Sequence, residues 1–179
     1  HLKVVNMAEY GANISIRYNK LMKDIIKEPS ACSLRLYSRI QKLVKNYLKT
    51  ATGIYDSIII NPEDLGNVTN REQLIDKFGS LYEAENYFNE QYIDNACIIK
   101  NASCAINCII GSYICTLSSM FPDRSFFVVL SVDNGDHCVT RKRTTFTVKL
   151  YQLREGELYL DSIGDMNQPV ICAVLKRQA

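Results

Sequence analysis

Residues 101–122 read NASCAINCIIGSYICTLSSMFP and contain no charged side chain. Wound into a helix, this stretch is apolar on nearly all sides, which is typical of a helix at the centre of a domain. Asn101, Asn107, Pro122 and five serines or threonines interrupt the apolar surface, so a buried helix is favoured over a membrane span. The sequence therefore predicts a central helix over about 103–119, around which the rest of the chain is organised.

The chain changes character on either side of this helix. Downstream, β-branched and aromatic residues between turn signals predict strands at 125–132, 144–153 and 158–163, and a short helix or strand from Pro169. Upstream, apolar residues at helical spacing, with Ser33 and Asn70 as N-caps, predict helices at 14–27, 34–49, 70–78 and 81–94. Residues 54–60 fit a short strand or a helical turn.

The expected architecture is a single α+β domain spanning residues 1–179. Its N-terminal helices and central apolar helix pack on a three- to four-stranded antiparallel meander. Residues 1–100 are expected to be helical, residues 101–122 form the central helix, and residues 123–179 form the meander with a short C-terminal element.

Charge is distributed unevenly along the chain. Residues 1–49 carry ten Lys or Arg against three acids, and residues 50–100 carry nine acids against three bases. The predicted second helix presents a basic face made of Arg35, Arg39, Lys42, Lys45 and Lys49. Such a face predicts an acidic protein or peptide partner. The alternative is that the face is simply solvated or turned toward the acidic region.

The cysteines and histidines exclude several classes of protein. Seven cysteines, four of them within 19 residues, do not form the pattern of a disulfide framework, which favours a reducing compartment, the cytoplasm or the nucleus. With two histidines and no CxxC pair, no metal or other cofactor is expected. Phosphate-binding glycine loops, HExxH, GxSxG and dinucleotide fingerprints are absent from the sequence.

One constellation of residues could support nucleophilic catalysis. Cys104 lies at the predicted N-terminus of the central helix, where the helix dipole lowers a thiol pKa. A Cys/His hydrolase would place its base near Thr145, and Asp161 or Ser162 would orient that base. The only downstream histidine is His137, in a predicted turn. The alternative is that Cys104 is a small apolar residue of a buried helix.

Two segments resemble the vasohibins, transglutaminase-like cysteine carboxypeptidases. They are CAINCIIGSY (104–113) with SSMFP (118–122), and LVKNYLKTATGIYD (43–56). The resemblance implies a papain- or transglutaminase-like fold with Cys104 as nucleophile, and the family's histidine and serine fall on Thr145 and Ser162. It further implies that the chain binds acidic peptide tails and a small helical partner protein. On the basis of this resemblance we expect a cysteine-peptidase-like protein, active or degenerate, that recognises an acidic peptide or protein partner.

A second resemblance leads to a different function. The segment TVKLYQLREGELYLD (147–161) is similar to a hairpin of the kinase-associated C-terminal domain of AMP-activated kinase α subunits. That resemblance implies a regulatory interaction module without catalysis. Nucleic-acid binding by the basic helices is the least favoured of the three hypotheses, because no helix-turn-helix or aromatic-rich strand motif accompanies them.

Overall fold

The computed structural model describes residues 3–7, 12–26, 32–133, 144–154 and 166–177. Its helices are α1 (Lys20–Ile25), α2 (Leu34–Tyr47), α3 (Arg71–Phe78), α4 (Leu81–Phe88), α5 (Ala96–Ile99) and α6 (Ala102–Met120), with a 3-10 turn at Pro62–Leu65. Its strands are β1 (Lys3–Met7), β2 (Ala12–Tyr18), β3 (Thr52–Ile54), β4 (Ser57–Ile59), β5 (Gln91–Ile93), β6 (Phe126–Asp133), β7 (Thr145–Gln152) and β8 (Val170–Arg177). These elements confirm the predicted α+β class.

The central helix is also confirmed. Helix α6 packs against α2 and against one face of the main sheet, and its apolar residues belong to the largest core cluster. By length and composition alone α6 could cross a bilayer, but half of it is buried inside the protein. A core helix of this kind explains why residues 101–122 are uncharged.

The main sheet has six antiparallel strands in the order β1-β2-β8-β6-β7-β5, rather than the three or four expected. Strand β8 lies at its centre, between β2 and β6, and its residues from Val170 to Leu175 are buried. Because both faces of β8 are covered, the segment is apolar without alternation. This explains why its strand character was left open in the sequence.

The helix predicted at 14–27 is wrong in its first half, which forms strand β2. Residues 12–18 pair with β1 on one side and with β8 on the other. Asn19 then ends the strand and starts α1: its side chain accepts from the Met22 N–H at 2.9 Å and donates to the Gln168 carbonyl at 2.7 Å. The strand is stabilised by partners distant in sequence, which local periodicity does not reveal.

The helix predicted at 81–94 stops early, because α4 ends at Phe88 and Gln91–Ile93 form strand β5 on the edge of β7. Residues 54–60, left open between a strand and a helical turn, contribute to a two-stranded hairpin of β3 and β4. Its turn residues Tyr55 and Asp56 have φ of 49° and 62°, the left-handed conformation of a tight hairpin turn.

The neighbours of β7 differ from those expected. Thr145 opens β7 and pairs with Asp133 of β6, while β5 occupies the opposite edge over Phe146–Val148. The sequence predicted that residues 158–163 would pair with this edge of β7. Over Phe146–Val148 the structure places β5 there instead. The return strand predicted at 158–163 lies outside the described residues.

Candidate functional site

Cys104 is the third residue of α6 and is buried in the main core, with 7% of the residue exposed. Its thiol donates to the carbonyl oxygen of Asn101 at a distance of 3.4 Å. The position in the first turn of the helix agrees with the sequence expectation. Burial favours a packing role, because a nucleophilic thiol needs access to its substrate.

Two further thiols lie beside Cys104. Cys32, just ahead of α2, hydrogen-bonds with Cys108 and with Cys104, and both Cys32 and Cys108 pack against the main core. Burial raises the pKa of the Cys32 thiol, and the hydrogen bond with Cys108 raises it further, whereas the bond with Cys104 lowers it. Because a raised pKa disfavours the thiolate, the Cys32 thiol is suited to packing rather than to nucleophilic attack.

The other members of the predicted catalytic set cannot be placed around Cys104. His137, Asp161 and Ser162 lie outside the described residues, as does His1. The described ranges therefore contain no histidine, and the proposed Cys–His arrangement stays a prediction.

The basic face predicted on the second helix is a continuous exposed surface. Helix α2 buries Leu36, Ile40 and Val44 against the core, and the face turned away from the core carries the cations. All five are exposed, and among the described residues none has a carboxylate at ion-pair distance: Arg35, Arg39, Lys42, Lys45 and Lys49. The amphipathic pattern of a single helix was sufficient to find this surface.

A cleft of about 320 Å³ opens where α2 begins. We call it the arginine cleft, because Arg35 and Arg39 contribute its charged side chains; its other lining residues are Ser33, Leu36, Cys97 and Asn101. The side-chain amide of Asn101 donates to the Cys97 carbonyl at 2.8 Å, which fixes the opposite wall. Sequence reasoning missed the cleft because its two walls lie more than 50 residues apart, although the i, i+4 arginine spacing was visible.

Sequence reasoning also missed a buried carboxylate, Glu85 of α4, which has 0% of its surface exposed. Its oxygens accept from the Arg154 guanidinium at 2.8 and 3.1 Å, from the Ile58 N–H at 3.0 Å and from the Gln152 N–H at 3.3 Å. Burial raises the pKa of Glu85 to about 7, against the opposing effect of Arg154. Such a pKa is typical of catalytic acids, but within the described part of the chain the hydrogen bonds of this carboxylate join structural elements of the fold.

The same guanidinium anchors the β3–β4 hairpin. Arg154 donates to the Asp56 carbonyl at 2.7 Å and to the Ser57 hydroxyl at 2.9 Å. One turn after Glu85, the Asn89 side chain accepts from the Ile60 N–H and donates to the carbonyls of Ile58 and Leu150. Glu85 and Asn89 thus bridge β4 to β7, which gives this network a structural role.

A second cavity, of about 180 Å³, lies on the sheet face opposite α6. Three rings form a stack along its wall: Tyr82 on Tyr151 at 4.6 Å between ring centroids, and Tyr151 on Phe127 at 4.8 Å. The Lys149 ammonium at the cavity contacts Asn86 at 2.8 Å and Glu90 at 3.2 Å. The charge of Lys149 is therefore balanced by Glu90, and this cavity attracts anions only weakly.

Within the described residues, no group of three histidine, cysteine or acidic side chains could hold a metal ion. No family model, curated protein or solved structure matches the chain.

Proposed function

We propose that this chain is a non-enzymatic interaction module that binds an acidic peptide or protein segment through the basic face of α2. The observation that carries the proposal is the row of five exposed cations, from Arg35 to Lys49, without a carboxylate at ion-pair distance among the described residues. Charges left without partners on one side of a helix attract a ligand of opposite sign.

The dimensions of the face fit an extended segment. Arg35 and Lys45 lie ten residues apart within α2, which corresponds to about 15 Å along the helix axis, and Lys49 follows just after the helix ends. An extended peptide covers the helical part of the face with about five residues. The preferred ligand is therefore a short acidic stretch of chain, of the kind found in tails and linkers.

The surroundings of Cys104 favour this function over the cysteine-peptidase hypothesis. The thiol is buried, donates to a backbone carbonyl and lies against Cys32. Peptidase activity stays a prediction, since His137 lies outside the described residues. The small helical partner implied by the vasohibin resemblance also stays a prediction.

The proposal is tested by measuring the binding of a fluorescein-labelled oligoglutamate peptide by fluorescence anisotropy. Lys42→Glu with Lys45→Glu should weaken binding at least about tenfold, because two attractions become repulsions. Arg71→Glu, an exposed charge reversal on α3, serves as the matched control and should change the affinity less than about twofold. Equal affinity of the double variant and the wild type would exclude the basic face as the binding surface.

A further inference from the structure

We propose that the arginine cleft binds a phosphorylated side chain of the acidic partner, between Arg35 and Arg39. The inference rests on the proposed function and names the group that α2 recognises. The cleft opens beside the first turns of α2, so the phosphate occupies one end of the basic face, and Lys42 and Lys45 follow it along the helix, with Lys49 just after the helix end.

The spacing of the two arginines favours one shared ligand. Residues four apart on a helix have Cβ atoms about 5–6 Å apart, so both guanidinium groups can converge on a single small anion. Each guanidinium is a planar fork that donates two parallel hydrogen bonds. A carboxylate has only two oxygens and is satisfied by one fork, whereas a phosphate monoester offers three oxygens and a charge of about −2.

The walls of the cleft are compatible with this ligand. None of its six lining residues is acidic, and its volume of about 320 Å³ exceeds what a phosphate group needs, which leaves room for the side chain that carries it. Ser33 and Asn101 bring a hydroxyl and an amide to the rim, and buried Leu36 supplies an apolar wall. A partly enclosed site strengthens charge-assisted hydrogen bonds relative to an open surface.

The remaining cations define the sequence around the phosphate. Lys42 and Lys45 continue from Arg39 over about 9 Å of helix, and Lys49 follows just after the end of α2. An extended ligand covers the helical part in about three residues. The preferred ligand therefore carries its phosphorylated residue at one end of a short acidic stretch.

The charge distribution favours a phosphoprotein over a nucleic acid. The whole chain has a net charge of only +2, and residues 50–100 carry nine acids against three bases. A net charge of only +2 gives a long polyanion little overall attraction, whereas a single phosphate needs only the two arginines of the cleft. A phosphodiester carries only one negative charge, whereas a phosphate monoester carries about two. The monoester therefore matches two converging guanidinium groups better.

The experiment compares two labelled peptides on the full chain, one with a single phosphoserine beside a run of glutamates and one with glutamate in place of the phosphoserine. The phosphopeptide should bind at least about tenfold more tightly. Arg35→Lys and Arg39→Lys keep the charge but lose the fork, so each should abolish most of that preference. Arg71→Lys, a conservative exchange on α3 outside both the cleft and the basic face, should leave the preference intact.

Each other outcome has a defined meaning. Equal binding of the two peptides, or a phosphoserine preference that survives both lysine variants, overturns this inference and leaves the proposed function standing. Binding of neither peptide overturns the proposed function as well. A short single-stranded oligonucleotide that competes as strongly as the phosphopeptide, and is weakened equally by Arg39→Lys, would assign the cleft to nucleic acid instead.

Discussion

Replacing Glu85 with glutamine should remove a pH dependence of stability that the wild-type chain carries. Glu85 is fully buried, and burial raises its pKa from an ordinary 4.5 to about 7. Between these two pH values the folded chain holds a proton that the unfolded chain releases. The contribution of Glu85 to stability is therefore complete below about pH 4.5 and is lost as the pH rises through about 7.

The magnitude follows from the two pKa values. Their difference of about 2.5, from 7 minus 4.5, corresponds to about 3 kcal/mol of unfolding free energy, at about 1.4 kcal/mol for each tenfold change in the acid constant. The charged group that faces Glu85 from another element is the Arg154 guanidinium, which also lies 3.8 Å from the Asp56 carboxylate. Glutamine has nearly the same shape and cannot titrate, so it preserves the packing while removing the proton.

Urea unfolding followed by far-ultraviolet circular dichroism at pH 5 and pH 8 measures this effect. The stability of the wild type relative to Glu85→Gln should fall by about 2–3 kcal/mol from the lower to the higher pH, because part of the contribution is already lost at pH 5. Glu83→Gln changes an exposed carboxylate on the same helix and should leave the profile within about 0.5 kcal/mol of wild type. If Glu85→Gln retained the wild-type pH profile, the assignment of the raised pKa to this residue would be refuted.

Two further predictions concern the bridging side chains and the thiols. Asn89→Leu should lower the unfolding free energy by about 3–5 kcal/mol, because it leaves the backbone groups of Ile58, Ile60 and Leu150 without partners inside the protein; a loss below about 1 kcal/mol in urea unfolding would contradict this. With iodoacetamide at neutral pH, exposed Cys97 should be alkylated at least about tenfold faster than buried Cys104, as read by peptide mass spectrometry. Faster labelling of Cys104 would instead support the peptidase hypothesis.

The sequence predicted best those features that depend on neighbours along the chain. Helix α2 has its cap at Ser33, its apolar stripe and its basic face within 17 residues, so local pattern was sufficient to find it. Strand β2 was misread because Tyr18, Leu21 and Met22 fit a helical stripe, while the pairing with β8 depends on residues more than 150 positions away. Propensity was overridden there by tertiary context.

The candidate site also has parts that depend on local sequence and parts that depend on tertiary contacts. The basic face is a property of one helix and could be predicted, whereas the arginine cleft needs α2 and the start of α6 to be brought together. Glu85 carries no sequence signal of burial, because its partner Arg154 lies 69 residues downstream. A charged residue on an amphipathic helix is normally expected to face water.

The bridging by Glu85 and Asn89 has a consequence for self-assembly. Strand β5 covers only three residues of β7, and beyond it the backbone groups of Leu150 and Gln152 are hydrogen-bonded to the side chains of Asn89, which caps α4, and of Glu85. These side-chain hydrogen bonds block the addition of another strand to this edge of β7, which protects the edge against fibril formation. Detachment of this one short helix, with the sheet still intact, would uncover a seed for cross-β polymerisation.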